Sequence, residues 1–311
     1  YPQIGEICGG MPEDRAESFI SEVFADFKDQ CLANCFKELS QLSVHPEITS
    51  LLPLRYDCLN LGWILKAKAA KEKIPRLFRC GTVAPDVLER MVTEEGVDLT
   101  GLLKEAYDHA FPLVEAGADV RLIGCRTIAA YWRHFLRVAR ASGLEFLRLL
   151  ATYHIDGVNL STLVRLKHDG EASLSRLEEE LVPAPAAQNE PGAPIWEPVG
   201  LEPLSKEFYR RAWGESVEML PSLLGGTHYE RASNEAMSGG TFDSLVFDKE
   251  LDNLIAKLAR EARVATFGVE PLFAYGIARE VEVSNLKILL GGRGVGLKPE
   301  RIQEELRYGY V

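Results

Sequence analysis

Apolar residues recur every three or four positions along most of the chain, the spacing that gathers them on one stripe of a helix. The series Ile20, Phe24, Phe27, Cys31, Cys35, Leu39 is the first such stripe. Others run through Ile128, Tyr131, Phe135 and Val138, and through Leu251, Leu254 or Ile255, Leu258 and Ala262, each with charges on the opposite side. The strict alternation that marks a half-buried strand is hard to find. The pattern predicts an all-α fold.

Two stretches interrupt it. Residues 183–198 (PAPAAQNEPGAPIWEP) hold five of the 16 prolines, so an extended connection between two units is expected there. Residues 225–241 (GGTHYERASNEAMSGGT) carry paired glycines at both ends of a polar middle, which predicts a mobile loop. Proteases are expected to cut these two stretches first.

The helical stripes contain a repeat. DCLNLGWILKAK from Asp57, DGVNLSTLVRLK from Asp156 and EVSNLKILLGGR from Glu282 align without gaps. Each reads as an acid, two residues, Asn-Leu, two residues, two aliphatics and a closing base. The anchors are Asn60-Leu61, Asn159-Leu160 and Asn285-Leu286, and the bases are Lys68, Lys167 and Arg293. Four residues either side of each Asn stand apolar residues, Tyr56 and Ile64, Ile155 and Leu163, Val281 and Leu289, so all three asparagines are expected to be buried. A buried amide without partners costs roughly 1–3 kcal/mol. The acid three residues earlier shares its face, so acid and Asn are expected to form a polar clamp that fixes how two helices meet. The closing bases suit the negative end of each helix, and a Gly then a Pro follows each one (Gly81 and Pro85, Gly200 and Pro203, Gly296 and Pro299). The architecture predicted is three similar helical units, 1–105, 106–215 with the Pro-rich linker 183–198, and 216–311.

Composition and charge narrow the function. With 46% hydrophobic and 26% charged residues the chain is globular, and its formal net charge of -11 argues against a nucleic-acid partner. No apolar run approaches the roughly 18–20 residues that cross a bilayer, so no direct membrane span is expected. The first 15 residues lack the basic and apolar regions of a signal peptide, and the six cysteines, all before residue 130 and without CxxC spacing, read as reduced thiols in a cytoplasmic protein. The glycine cluster GGRGVG at 291–296 follows a helix, not a strand, so it reads as a helix end and not a phosphate cradle. The six histidines show no HExxH or close Cys/His pairing, and Asn159-Leu160-Ser161 is a sequon inside a helix expected to be buried. No catalytic constellation, cofactor or metal site is expected.

The repeat residues also carry a family likeness. GVEPLFAYGIAREVEVSNLKILLGGRGVGLKPERIQEEL, from Gly268 to Leu306, resembles the C-terminal signature of the C subunits of V/A-type ATPases, relatives of the d subunit of eukaryotic vacuolar ATPases. RYDCLNLGWILKAKAA and DGVNLSTLVRLKHDG resemble that family's first two such helices, and LSKEFYRRAW and FDKELDNLIAKLAREA fall in family order. Compared with the family, the first unit looks N-terminally truncated and the Pro-rich insertion long. The resemblance implies a helical funnel with pseudo-threefold symmetry, a non-catalytic central-stalk rotor subunit of a proton- or sodium-translocating ATPase or ATP synthase. Its implied partners are the D and F subunits of the shaft and the membrane rotor ring, at the cytoplasmic face of the membrane. The competing readings are a free-standing helical-repeat adaptor for a partner helix or peptide, and an all-α enzyme using Glu282 and Asp156.

Overall fold

The computed structural model describes residues 24–94, 98–169, 172–182, 201–265 and 267–309; Ile20 and the Pro-rich stretch 183–198 lie outside the described residues. Among the described residues there are helices and no strands, so the chain is all-α as its periodicity predicts. In chain order the helices are α1 (Phe24–Leu42), α2 (Pro46–Thr49), α3 (Leu51–Ala70), α4 (Pro85–Thr93), α5 (Gly101–Glu115), α6 (Val120–Ser142), α7 (Glu145–His168), α8 (Leu174–Glu180), α9 (Lys206–Gly214), α10 (Leu220–Leu223), α11 (Glu230–Ala236), α12 (Ser244–Ala262), α13 (Glu270–Gly294) and α14 (Pro299–Glu305). They divide into two compact units, a central one from Pro53 to Ile255 and a terminal one that joins Tyr1–Leu52 to Ala256–Val311.

In the central unit, α5 and α6 pack along each other from a turn where the Asp119 carboxylate accepts the Arg121 N–H and so caps α6. At the other end of α6 the chain reverses through Gly143, whose φ of 68° is a left-handed conformation that costs glycine little. α7 then runs back against α6. Between them lie the buried rings of Tyr131, Trp132 and Phe135, with His154 of α7 stacked on Trp132 at 4.6 Å. The buried face of α6 centres on Ile123, Thr127, Tyr131 and Phe135, while Ile128 and Val138 of the predicted stripe are half-buried at its margin. α3 approaches α6 closely, because a Cβ on Gly62 would stand 2.7 Å from Thr127 Oγ1. Arg55 of α3 lies 5.7 Å over the Trp132 ring.

In the terminal unit α1 packs on α13 through Phe24, Leu32, Cys35, Phe36 and Leu39, with Phe27 and Cys31 half-buried. Burial pushes the Cys35 thiol up to about 12, so it packs as a small apolar group. Two glycines permit close packing on α13: a Cβ on Gly276 would collide with Leu52, and one on Gly292 would stand 2.7 Å from Ile302 of α14. The glycine cluster therefore lies within and just beyond the end of α13, which runs to Gly294 and stops before Gly296 at φ 72°.

The stretch 225–241 is not the loop expected from its glycines. It contains α11, with Tyr229, Ala232, Ser233 and Ala236 buried. The glycines supply the turns at its ends, Gly226 at φ 75° and Gly240 at φ 86°, and the small residues between them pack closely. Limited proteolysis should accordingly leave 225–241 intact until the central unit unfolds. Mass spectrometry showing early nicks between Tyr229 and Ala236 would contradict the packing described.

Candidate functional site

A carboxamide side chain carries both an acceptor oxygen and an NH2 donor, so it can pair with the C=O and the N–H of a backbone residue at once. Each repeat asparagine uses both on a single residue of an extended segment that returns beside its helix. Asn60 donates to the Phe78 carbonyl at 2.8 Å and accepts the Phe78 N–H at 2.8 Å. Asn159 makes the same pair with Val182, at 3.1 and 2.8 Å, and Asn285 with Arg307, at 3.1 and 2.9 Å. The partners lie 18, 23 and 22 residues further along the chain. Asn60 and Asn159 are buried, and the sequon serine Ser161 bonds Asp248 at 2.5 Å. Asn285 is half-buried, contrary to expectation.

The acids do not pair with the asparagines. Each amide spends its oxygen and an N–H on the returning backbone, and each acid is turned to other donors. Asp57 instead accepts the Thr82 and Val83 N–H groups, at 2.9 and 3.2 Å, and the Thr82 hydroxyl. Gly81 lets the chain pass there, since a Cβ would collide with the Asp57 carboxylate. Asp156 accepts the Leu204 N–H at 2.8 Å and the hydroxyls of Tyr209 and Tyr229 at 3.2 and 2.7 Å. Burial pushes the Asp156 carboxyl up to about 7 and raises Asp57 too, while the donors around each pull the other way. Both acids thus grip the residues just before a following helix, α4 or α9. Around Asp156 the grip is reinforced by Glu202, which pairs with Arg140 of α6 at 2.5 Å and Arg148 of α7 at 2.8 Å, and by Thr152, whose hydroxyl donates to the Leu201 carbonyl at 3.0 Å.

Glu282 differs. It is half-buried and pairs with Arg279 one turn back on α13. Beside it runs a groove of about 450 Å³, lined along α13 by Tyr275, Val281, Glu282, Leu286 and Leu289 and closed on one side by Leu306. Leu61 and Leu160 are buried, while Leu286 is half-buried on this groove.

The closing bases also separate. Lys167 reaches the carbonyls of Trp213, at 2.8 Å, and Glu215, and so caps the C-terminal end of α9 instead of its own helix. Lys68 lies 4.9 Å over the Phe111 ring. Gly296 and Pro299 are not equivalent to the other Gly and Pro pairs: they precede the returning segment at Arg307, whereas Gly81 and Pro85, and Gly200 and Pro203, follow theirs. The sequence pattern did not single out Tyr209 and Tyr229, whose hydroxyls reach Asp156 from 53 and 73 residues further along the chain. Among the described residues no three His, Cys, Asp or Glu side chains are placed to hold a metal ion, and no helix is long and apolar enough to cross a membrane.

Comparison with known proteins places these helices. Residues 13–184 and 198–305 match the family described as ATP synthase (C/AC39) subunit, and all three repeat helices fall within the matched residues. The chain belongs to this family. Its relatives include the C subunit of the A-type ATP synthase of Methanothermobacter thermautotrophicus, 28% identical over 81% of this chain and 65% of the relative, and that of Thermococcus kodakarensis, 25% identical over 82% and 66%. The C subunit of the V-type sodium ATPase of Enterococcus hirae is 23% identical over 88% of this chain and 79% of the relative. The match to the two archaeal proteins thus spans slightly under two thirds of their length. Within this C/AC39 family member, the repeat motif recognised in the sequence is the element that ties each long helix to the chain returning beside it.

Proposed function

We propose that this chain is a non-catalytic component of a V/A-type ATPase or ATP synthase, a socket that couples the central shaft, made of the D and F subunits, to the membrane rotor ring at the cytoplasmic face. Its membership of the C/AC39 family carries the reading. The threefold recurrence of the asparagine tie supports a body of three like units, since one helix-and-return element is used three times along the chain. A part that transmits torque has to resist shear, and paired hydrogen bonds that pin a returning segment to a long helix suit that task. The net charge of -11 favours basic surfaces on at least one partner, so part of the affinity should weaken with salt.

The test is a pull-down of the full chain with folded D and F subunits at low and at roughly physiological ionic strength. A complex is expected at both, weaker at the higher. No complex at either would replace the socket with the free helical-repeat adaptor.

A further inference from the structure

Charge is unevenly placed along this chain. Against a net -11, α6 holds five arginines and no acid. Four of the five are matched: Arg121 pairs with Asp119, Arg133 and Arg137 with Glu105, and Arg140 with Glu202. Arg126 has no ion-pair partner among the described residues, and neither has Lys66 of α3. Both are part-exposed. They also stand close together. The Lys66 ammonium lies against the backbone of α6, where a Cβ on Gly124 would collide with it. The next residue, Cys125, has its thiol pushed up by burial and by Glu180, while the charges of Lys66, Arg165 and Arg126 pull it the other way.

The acids nearby are already taken. Buried Glu180 of α8 is held by Arg165 of α7 and by Arg176 at 3.0 Å, and Arg176 also reaches Asp119 at 2.8 Å. Five cations on four helices, Lys66, Arg121, Arg126, Arg165 and Arg176, thus share two carboxylates. Beside Lys66 stands Trp63, 45% exposed, with the ammonium 5.8 Å over its ring.

We propose that this patch of the central unit docks an acidic segment of a neighbouring subunit, with Lys66 and Arg126 taking its carboxylates and the Trp63 ring its apolar side. Tryptophan and arginine are the residue types that concentrate binding energy at protein contacts. A small anion would need donors converging on one point, whereas these cations are spread over four helices and the Arg121 and Arg165 side chains are exposed. At this face the local field runs against the net charge of the chain, so it steers an acidic partner here even though basic surfaces are favoured elsewhere. The inference rests on the reading of this chain as part of a V/A-type complex, because its occupant is another subunit of that complex.

A water-soluble carbodiimide joins an amine to a carboxylate only where the two touch. In the complex assembled with the full chain, mass spectrometry should find Lys66 joined to an Asp or Glu of another subunit. Lys66→Glu combined with Arg126→Glu should weaken binding to the rest of the complex at least tenfold at low ionic strength and much less at high, with circular dichroism unchanged. Trp63→Ala should weaken it severalfold while keeping the salt dependence. A complex that forms without a Lys66 cross-link to another subunit, or that takes the doubly reversed chain equally well, overturns this inference and leaves the complex reading standing. No complex with the unaltered chain overturns that reading and this inference with it. A loss confined to binding of phosphatidylserine vesicles would assign the patch to a membrane surface and overturn the inference as well.

Discussion

Asn159→Leu should destabilise the central unit by about 2–6 kcal/mol, because it strands both the N–H and the carbonyl of Val182 in a buried site at roughly 1–3 kcal/mol each. Leucine keeps the branched four-atom skeleton and is favourable in a helix, so neither a cavity nor helix propensity accounts for the loss. Asn60→Leu should behave alike, since its two bonds to Phe78 are as short and the residue is fully buried. Asn285→Leu makes the informative contrast. It breaks the same two bonds, but its site is half-buried and water can replace part of what is lost. Urea unfolding followed by circular dichroism would rank the three. A cost below about 1 kcal/mol for Asn159→Leu would show that the Val182 peptide finds other partners.

The second large effect is a pH dependence centred on Asp156. In the unfolded chain this carboxyl loses its proton near its ordinary 3.8, whereas in the folded state burial holds it until about 7. Between those values the folded state binds the proton more tightly, so stability falls as pH rises and levels off above about 7. The groups that face Asp156 are the Tyr209 and Tyr229 hydroxyls and the Leu204 N–H, and both phenols are themselves pushed to higher pKa by burial and by this carboxylate. From pH 5 to pH 8 the linkage amounts to about 2–3 kcal/mol of lost stability. Asp119 and Glu178, whose pKa values are lowered, contribute in the opposite sense, and their stabilisation is lost only as pH falls through the acid range. Asp156→Asn cannot ionise and should flatten the slope between pH 5 and 8. Identical pH profiles for the two chains would place the titrating group elsewhere.

Much of this molecule was legible before any coordinates. The helical period showed in the α1, α6 and α12 stripes, because burying one side of a helix forces apolar residues to recur every three to four positions. The Asn-Leu repeat and its acid were legible for the same reason: equal spacing on a helix puts equal residues on equal faces. The likeness of Gly268–Leu306 to the C subunits of V/A-type ATPases led to the family that the comparison shows.

What local spacing could not supply was the partner of each polar group. The acid and the asparagine share a face, which made them look like a pair, yet the asparagines turn to chain that returns 18 to 23 residues later, Asp57 to chain 25 and 26 residues later and Asp156 to residues 48 to 73 positions later. Those segments have no periodic signature. The groups they offer the asparagines are backbone N–H and C=O, which nearly every residue carries, so sequence alone does not mark which of them will be used. The same limit hid α11 inside a glycine-bracketed stretch, where a tyrosine buried by contact with Asp156 outweighs the loop-like composition. It also hid the difference between α13 and the other two repeat helices. Helix spacing is a property of one segment, and the order of residues determines it; burial is a property of what packs against that segment, and only the tertiary structure decides that.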